Sequence, residues 1–239
     1  MTMSIYAAGV VPDLVSLSIL AAGYLPFKPA GVSVSYGIVF PLVSGLEAPQ
    51  AARNIVTHEA LYRVGLVGNL FYAVELVVLS AAIYVMLQPV DQLLALLAAL
   101  GRLFHAITWV IICVNLFASL RLLTDLEYAG AIPAGELHVL ARLFASGFDR
   151  YYIALLFWSL GTMAAAWAWL RSGAVPRVLA ASGVVSSVWA VFCTVSLFLF
   201  PAFPDIVHLA WFDVPMLAFE LAVGALLLFR GLPNGAHAA

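Results

Sequence analysis

The chain has 239 residues, 65% of them hydrophobic and 9% charged, and its mean hydropathy is +1.09. A soluble domain is nearer half apolar and a quarter charged. The charges here are too few to solvate a globular surface, so a multi-pass membrane protein is the class that remains. A net charge of -2 with no basic run argues against nucleic-acid binding. Cys113 and Cys193 both lie inside apolar runs and provide neither a disulfide framework nor metal-ligand spacing.

Residues 9–25 are largely apolar but interrupted by Pro12 and Asp13. With no basic residues before it and an acid inside it, this run reads as a retained first helix rather than a signal peptide. Residues 32–46 are broken by Gly37, Pro41 and Gly45, which predicts a re-entrant or interfacial segment, with both options open. Residues 48–63 read as a surface helix carrying Arg53, His58, Glu59 and Arg63, the last two an i,i+4 pair. Two long apolar runs follow, 64–87 and 92–123, joined by Gln88-Pro89-Val90-Asp91-Gln92. A linker that short predicts an antiparallel hairpin.

Residues 124–149 are more polar, and Leu137, Leu140, Leu143 and Phe144 recur at helical spacing, which predicts a short amphipathic surface helix. Further spans are expected over 151–170, 178–200 and 214–229, punctuated by Gly173, Pro176, Pro201 and Pro204. The expected fold is therefore all-α: a polytopic integral membrane helix bundle of about six transmembrane helices plus short amphipathic surface helices. It forms one domain over 1–239. A raw Lys/Arg count favours the side holding Lys28, Arg53, Arg63, Arg121, Arg142 and Arg150 as cytoplasmic. That side also holds most of the acids, so the orientation stays open. No repeat at a fixed period supports an inverted-repeat transporter.

The stretch Asn54-Ile55-Val56-Thr57-His58-Glu59-Ala60-Leu61-Tyr62-Arg63-Val64-Gly65 resembles the signature of a bacterial multi-pass membrane family, catalogued as domain of unknown function 4386. The likeness continues through residues 84–98, with Pro89-Val90-Asp91, and at Arg171-Ser172-Gly173, Pro176-Arg177-Val178-Leu179, Glu220 and Arg230-Gly231. It covers most of the chain from residue 50 onward, and the first 45 residues depart from the family's usual first helix. The resemblance implies a six-helix bundle in a bacterial plasma membrane and no activity to carry over.

Charged groups inside hydrocarbon are expensive and mark a site by default. Glu75 and His105 stand equally far from Val90, about 22 Å along their helices at 1.5 Å per residue. Arg102 shares a face with His105, and Glu220 lies roughly 15 Å from Arg230 by the same rise, depths that permit a cluster. Asn69 and Asn115 add polar groups to the same hairpin. Glu75, Arg102, His105, Glu220, Asn69 and Asn115 are thus candidate ligand-binding residues. They also fit a structural polar core in which an Arg between carboxylates offsets their charge. A carboxylic acid removed from water favours its neutral form, and the sharper reading makes Glu75 or Glu220 a proton donor or shuttle.

A second candidate group, near the opposite surface, comprises His58, Glu59, Arg63, His208 and Asp213, together with His138. Imidazole and carboxylate suit zinc or iron, but no His-x-x-x-His spacing occurs, so solvated loop residues and no metal are expected. The six tryptophans and nine tyrosines read as interface anchors and packing. The expected partners are membrane lipid and a lipidic small molecule, and nothing names a cofactor. Three functions stay open: an intramembrane polar site for a lipidic or amphiphilic ligand, an enzyme acting on an isoprenoid-type substrate through a buried carboxylic acid, or a structural subunit without a pocket. A lateral opening would favour the first, an enclosed aromatic cavity ending on an acid the second, and a fully packed interior the third.

Overall fold

The computed structural model describes residues 35–146, 151–200, 202–207 and 210–230. The expected first helix, with Pro12 and Asp13, lies outside them. Among the described residues the structure is helical, without strands. A π-helical turn (Ser35–Val39) runs into a single α-turn (Phe40–Val43), followed by α1 (Ala48–Thr57), α2 (Glu59–Leu87) and α3 (Gln92–Thr124). Then come α4 (Leu126–Ala131), α5 (Ala134–Ala145), α6 (Tyr151–Ser172), α7 (Arg177–Leu199), the turn Phe203–Ile206 and α8 (Ala210–Arg230).

Local chemistry sets the boundaries. Asp91 Oδ1 accepts from the backbone N–H groups of Leu93 and Leu94, both at 3.0 Å, and so caps the start of α3. Gly173 follows α6 at a φ of +67°, where a Cβ would be strained, and its N–H donates to Trp169 O. Pro176 then sets the entry to α7. His58 separates α1 from α2, so the surface helix expected over 48–63 stops at Thr57. Glu59 and Arg63 instead form the first turn of α2, joined by an ion pair at 2.7 Å.

Four helices are long and apolar enough to cross a membrane: α2, α3, α6 from Tyr152 onward, and α7. In α8 the apolar stretch Val214–Phe229 is shorter. The expected count of about six thus becomes four among the described residues. The packing of α7 is the reverse of a soluble helix. It buries Ala180, Gly183, Ser186, Ser187, Ala190 and Thr194 while Val185, Val188, Phe192, Val195 and Phe198 face outward. Small and hydroxyl-bearing residues inward with large apolar ones outward suit a hydrocarbon surround, where close backbone approach and polar contacts hold helices together.

The helices group into two compact units. Among the described residues, the first comprises 76–105 and those from 155 to 230, and the second those from 35 to 75 and from 106 to 154. In the second unit α1 packs on α5, and Arg142 Nε donates to Leu46 O at 3.2 Å. The buried face of α5 is Leu137, Ala141 and Ala145. Leu140 and Leu143, expected on a common apolar face with Leu137, point outward. Val39 packs over Gly65, so part of the 32–46 segment is folded against α2 as two short turns. Tyr62 donates to Leu116 O at 3.2 Å, and Tyr72 meets Trp109 edge-on at 4.9 Å.

In the first unit α3 and α6 run antiparallel and touch backbone to backbone. A Cβ added to Gly101 would lie 2.6 Å from Gly161 Cα and 2.8 Å from Phe157 O. Beside it, α7 and α8 pair closely because Gly183 leaves room for the Phe219 ring. Backbone atoms cannot step aside as side chains do. Gly101→Ala is therefore expected to cost about 1–3 kcal/mol as overpacking, lowering the thermal midpoint of the detergent-purified protein by several degrees. Gly135→Ala, where nothing lies within 4 Å of the added Cβ, serves as the control. Equal midpoints for the two variants would show that the crossing yields easily.

Candidate functional site

The contact at Gly101 and Gly161 determines what the adjacent residues reach. Arg102 follows Gly101 on α3, and Thr162 follows Gly161 on α6. Arg102 Nη2 donates to Thr162 Oγ1 at 2.9 Å and to Glu220 Oε1 on α8. Thr162 Oγ1 in turn donates to Glu220 Oε1 at 3.1 Å, and the Trp158 indole N–H reaches the same oxygen. One carboxylate oxygen thus collects three donors from two helices. The Arg102 and Glu220 side chains are only 4% and 10% exposed.

Aromatic contacts close this cluster. Arg102 Cζ lies 5.9 Å from the Trp158 ring centroid, close enough for a cation–π attraction. His105, one turn along α3, stacks on Trp158 at 5.7 Å with the planes 16° apart. On the outward side of the same helices Phe104 stacks on Phe157 at 5.0 Å. Ser159 Oγ donates to Leu155 O and lies 3.4 Å from Met216 Sδ, tying α6 to α8 a second time.

Of the residues singled out in the sequence, the structure brings Arg102 and Glu220 into an ion pair and places His105 beside them through Trp158. Glu75 belongs to the second unit. It lies at the edge of the outward apolar face of α2, and its Oε2 is buried without a hydrogen-bond partner among the described residues. Asn69 Nδ2 donates to Gly65 O at 2.7 Å and Asn115 Nδ2 to Ile111 O at 2.8 Å, so each amide bonds its own helix. Trp158 and Thr162 were not legible as members of the cluster, although their i,i+4 spacing around Gly161 is the signal that points to them.

The second candidate group is not assembled among the described residues. His58 Nδ1 is 3.1 Å from Asn54 O, while Glu59 and Arg63 pair with each other. His208 lies outside the described residues, and Asp213 is placed only as a position on α8. Among the described residues no group of three His, Cys, Asp or Glu side chains is arranged to hold a metal ion.

An ion pair taken out of water is held by its partners, and removing one leaves the other charge uncompensated, at a cost of about 3–5 kcal/mol. Glu220→Leu is expected to show a loss of that size in equilibrium unfolding, whereas Arg102→Met/Glu220→Leu recovers most of it. A double variant as unstable as the single one would mean that the pair does more than neutralise itself.

No curated protein and no solved structure matches the chain. A family model does, from residue 29 to residue 231, so the match begins ahead of the 32–46 segment and extends through the Arg102–Glu220 cluster to the end of α8. The chain belongs to the family described as Domain of unknown function (DUF4386).

Proposed function

We propose that this protein binds a lipidic ligand within the membrane and that a groove in the first unit takes the ligand's hydrocarbon chain. The observation that carries this reading is the groove itself, ≈ 570 Å³ and lined only by apolar residues. Its volume falls in the range of small-molecule sites. From α3 come Leu94, Leu97, Gly101 and Phe104; from α6 come Phe157, Leu160, Ala164 and Trp167, with Val184 of α7 at the margin. Leu97, Leu160 and Trp167 are 40–48% exposed, so the groove opens sideways from the helices. Gly101, at the crossing with α6, is part of its lining.

Length supports a membrane lipid. From Leu94 to Phe104 α3 advances about 15 Å at 1.5 Å per residue, which is half of a hydrocarbon core about 30 Å thick. One acyl chain of one leaflet fits that depth. The Arg102–Glu220 cluster lies on the adjacent faces of the same helices and acts as the clamp that keeps the groove's walls together. Proton-donor chemistry on an isoprenoid finds less support, because no acid lines the groove and Glu220 is engaged by Arg102, Trp158 and Thr162.

Leu97→Trp should fill the groove from its outward side without touching the clamp. Mass spectrometry of organic extracts from purified protein is expected to show a defined lipid retained by wild type. The variant should retain at least severalfold less at an unchanged thermal midpoint. Equal retention by both proteins would remove the groove from consideration.

A further inference from the structure

The groove's two walls end on charges. On α6 the lining residues Phe157, Leu160, Ala164 and Trp167 advance by three- and four-residue steps along one face. The next position on that face is Arg171. On α3 the lining runs back from Phe104 through Gly101, Leu97 and Leu94, and the position beyond is Asp91. Arg171 Nη1 donates to Asp91 Oδ2 at 3.0 Å, so the two walls meet in an ion pair at the mouth.

We propose that Arg171 reads the phosphate of the lipid whose chain fills the groove, so the occupant is an anionic phospholipid of the leaflet next to the α6–α7 loop. This rests on the groove reading above and adds the chemistry of the headgroup. Several observations support it. Arg171 is 61% exposed at its side chain, and a guanidinium carries five N–H donors in a fork suited to phosphate. Asp91 is already committed, with Oδ1 on the start of α3 and Oδ2 on Arg171. The loop from Arg171 to Arg177 holds no acid, and Arg177 is exposed with no ion pair among the described residues. The mouth therefore carries a net positive charge. Trp167, one turn inside Arg171 and 47% exposed, is of the residue type that anchors beneath headgroups.

Charge distinguishes this occupant from the others. A second copy of the chain laid into the groove would bring no phosphate to Arg171, and a zwitterionic lipid would gain little from the net charge. A basic residue near a membrane surface favours anionic lipid by an amount equivalent to about fivefold in affinity.

The test is a titration of the full chain, delipidated in detergent, with phosphatidylglycerol and with phosphatidylcholine of identical chains, read by native mass spectrometry. Wild type is expected to bind phosphatidylglycerol about fivefold more tightly than phosphatidylcholine. Arg171→Gln should lose that preference while still binding phosphatidylcholine, and Arg171→Lys should keep most of it. Leu97→Trp should weaken both lipids. If wild type shows no preference, or Arg171→Gln retains it, the headgroup assignment falls while the groove stands. If Leu97→Trp binds both lipids as wild type does, the groove reading fails. A protein dimer that excludes both lipids would overturn the proposal in favour of a second copy.

Discussion

The backbone contact between Gly101 and Gly161 is the constraint on which the first unit depends. Two helices in hydrocarbon gain nothing from hiding apolar surface from water; they associate by packing closely and by satisfying polar groups. The glycines permit the approach, and the approach then fixes everything one residue away. Arg102 and Thr162 come within 2.9 Å of each other, and both meet the carboxylate that α8 supplies. On the outer side of the same crossing lies the depression that Leu97, Phe104, Leu160 and Trp167 wall in. Clamp and groove are two faces of one crossing. A side chain added at Gly101 would therefore disturb both at once, whereas Leu97 lies on the groove alone.

Much of the helical layout was legible because apolar length and punctuation carry it. Pro89-Val90-Asp91 and Gly173 to Pro176 mark turns by their own backbone preferences, and α3, α6 and α7 end within two residues of the expected positions. The start of α2 lies ahead of the apolar run because its first turn is polar. Glu59 and Arg63 satisfy each other in an exposed turn, so the helix extends beyond the apolar run that identifies it. The inward face of α5 is hard to read from the sequence for a related reason. Ala141 and Ala145 make the packing there, and two alanines leave a weaker pattern than the leucines beside them.

The cluster was half legible. Depth along a helix follows from counting residues, so Arg102 and Glu220 could be matched by their distances from Val90 and Arg230. Which way each side chain points around its helix axis depends on three helices at once, and no single segment encodes that. Trp158 was thus indistinguishable from the tryptophans that anchor helix ends, and Thr162 from any hydroxyl on an apolar helix. The groove was not legible at all. Its lining is made of the residues that compose every span, and its shape comes from how two helices lie against each other.

Two ion pairs among the described residues of this unit show how surroundings give one chemistry two uses. Arg102 and Glu220 are almost fully buried. With few waters to replace a lost partner, each charge is tied to the other and to Trp158 and Thr162. Such a pair is poorly suited to exchange one anion for another, so it serves as a fixed joint. Arg171 and Asp91 sit where the groove opens, with the arginine mostly exposed, and a pair of that kind contributes about 1 kcal/mol or less. Water or a phosphate can share the guanidinium with little penalty. On the proposed reading, a ligand contact at the mouth and a structural contact at the crossing would let a lipid come and go while the helices stay joined.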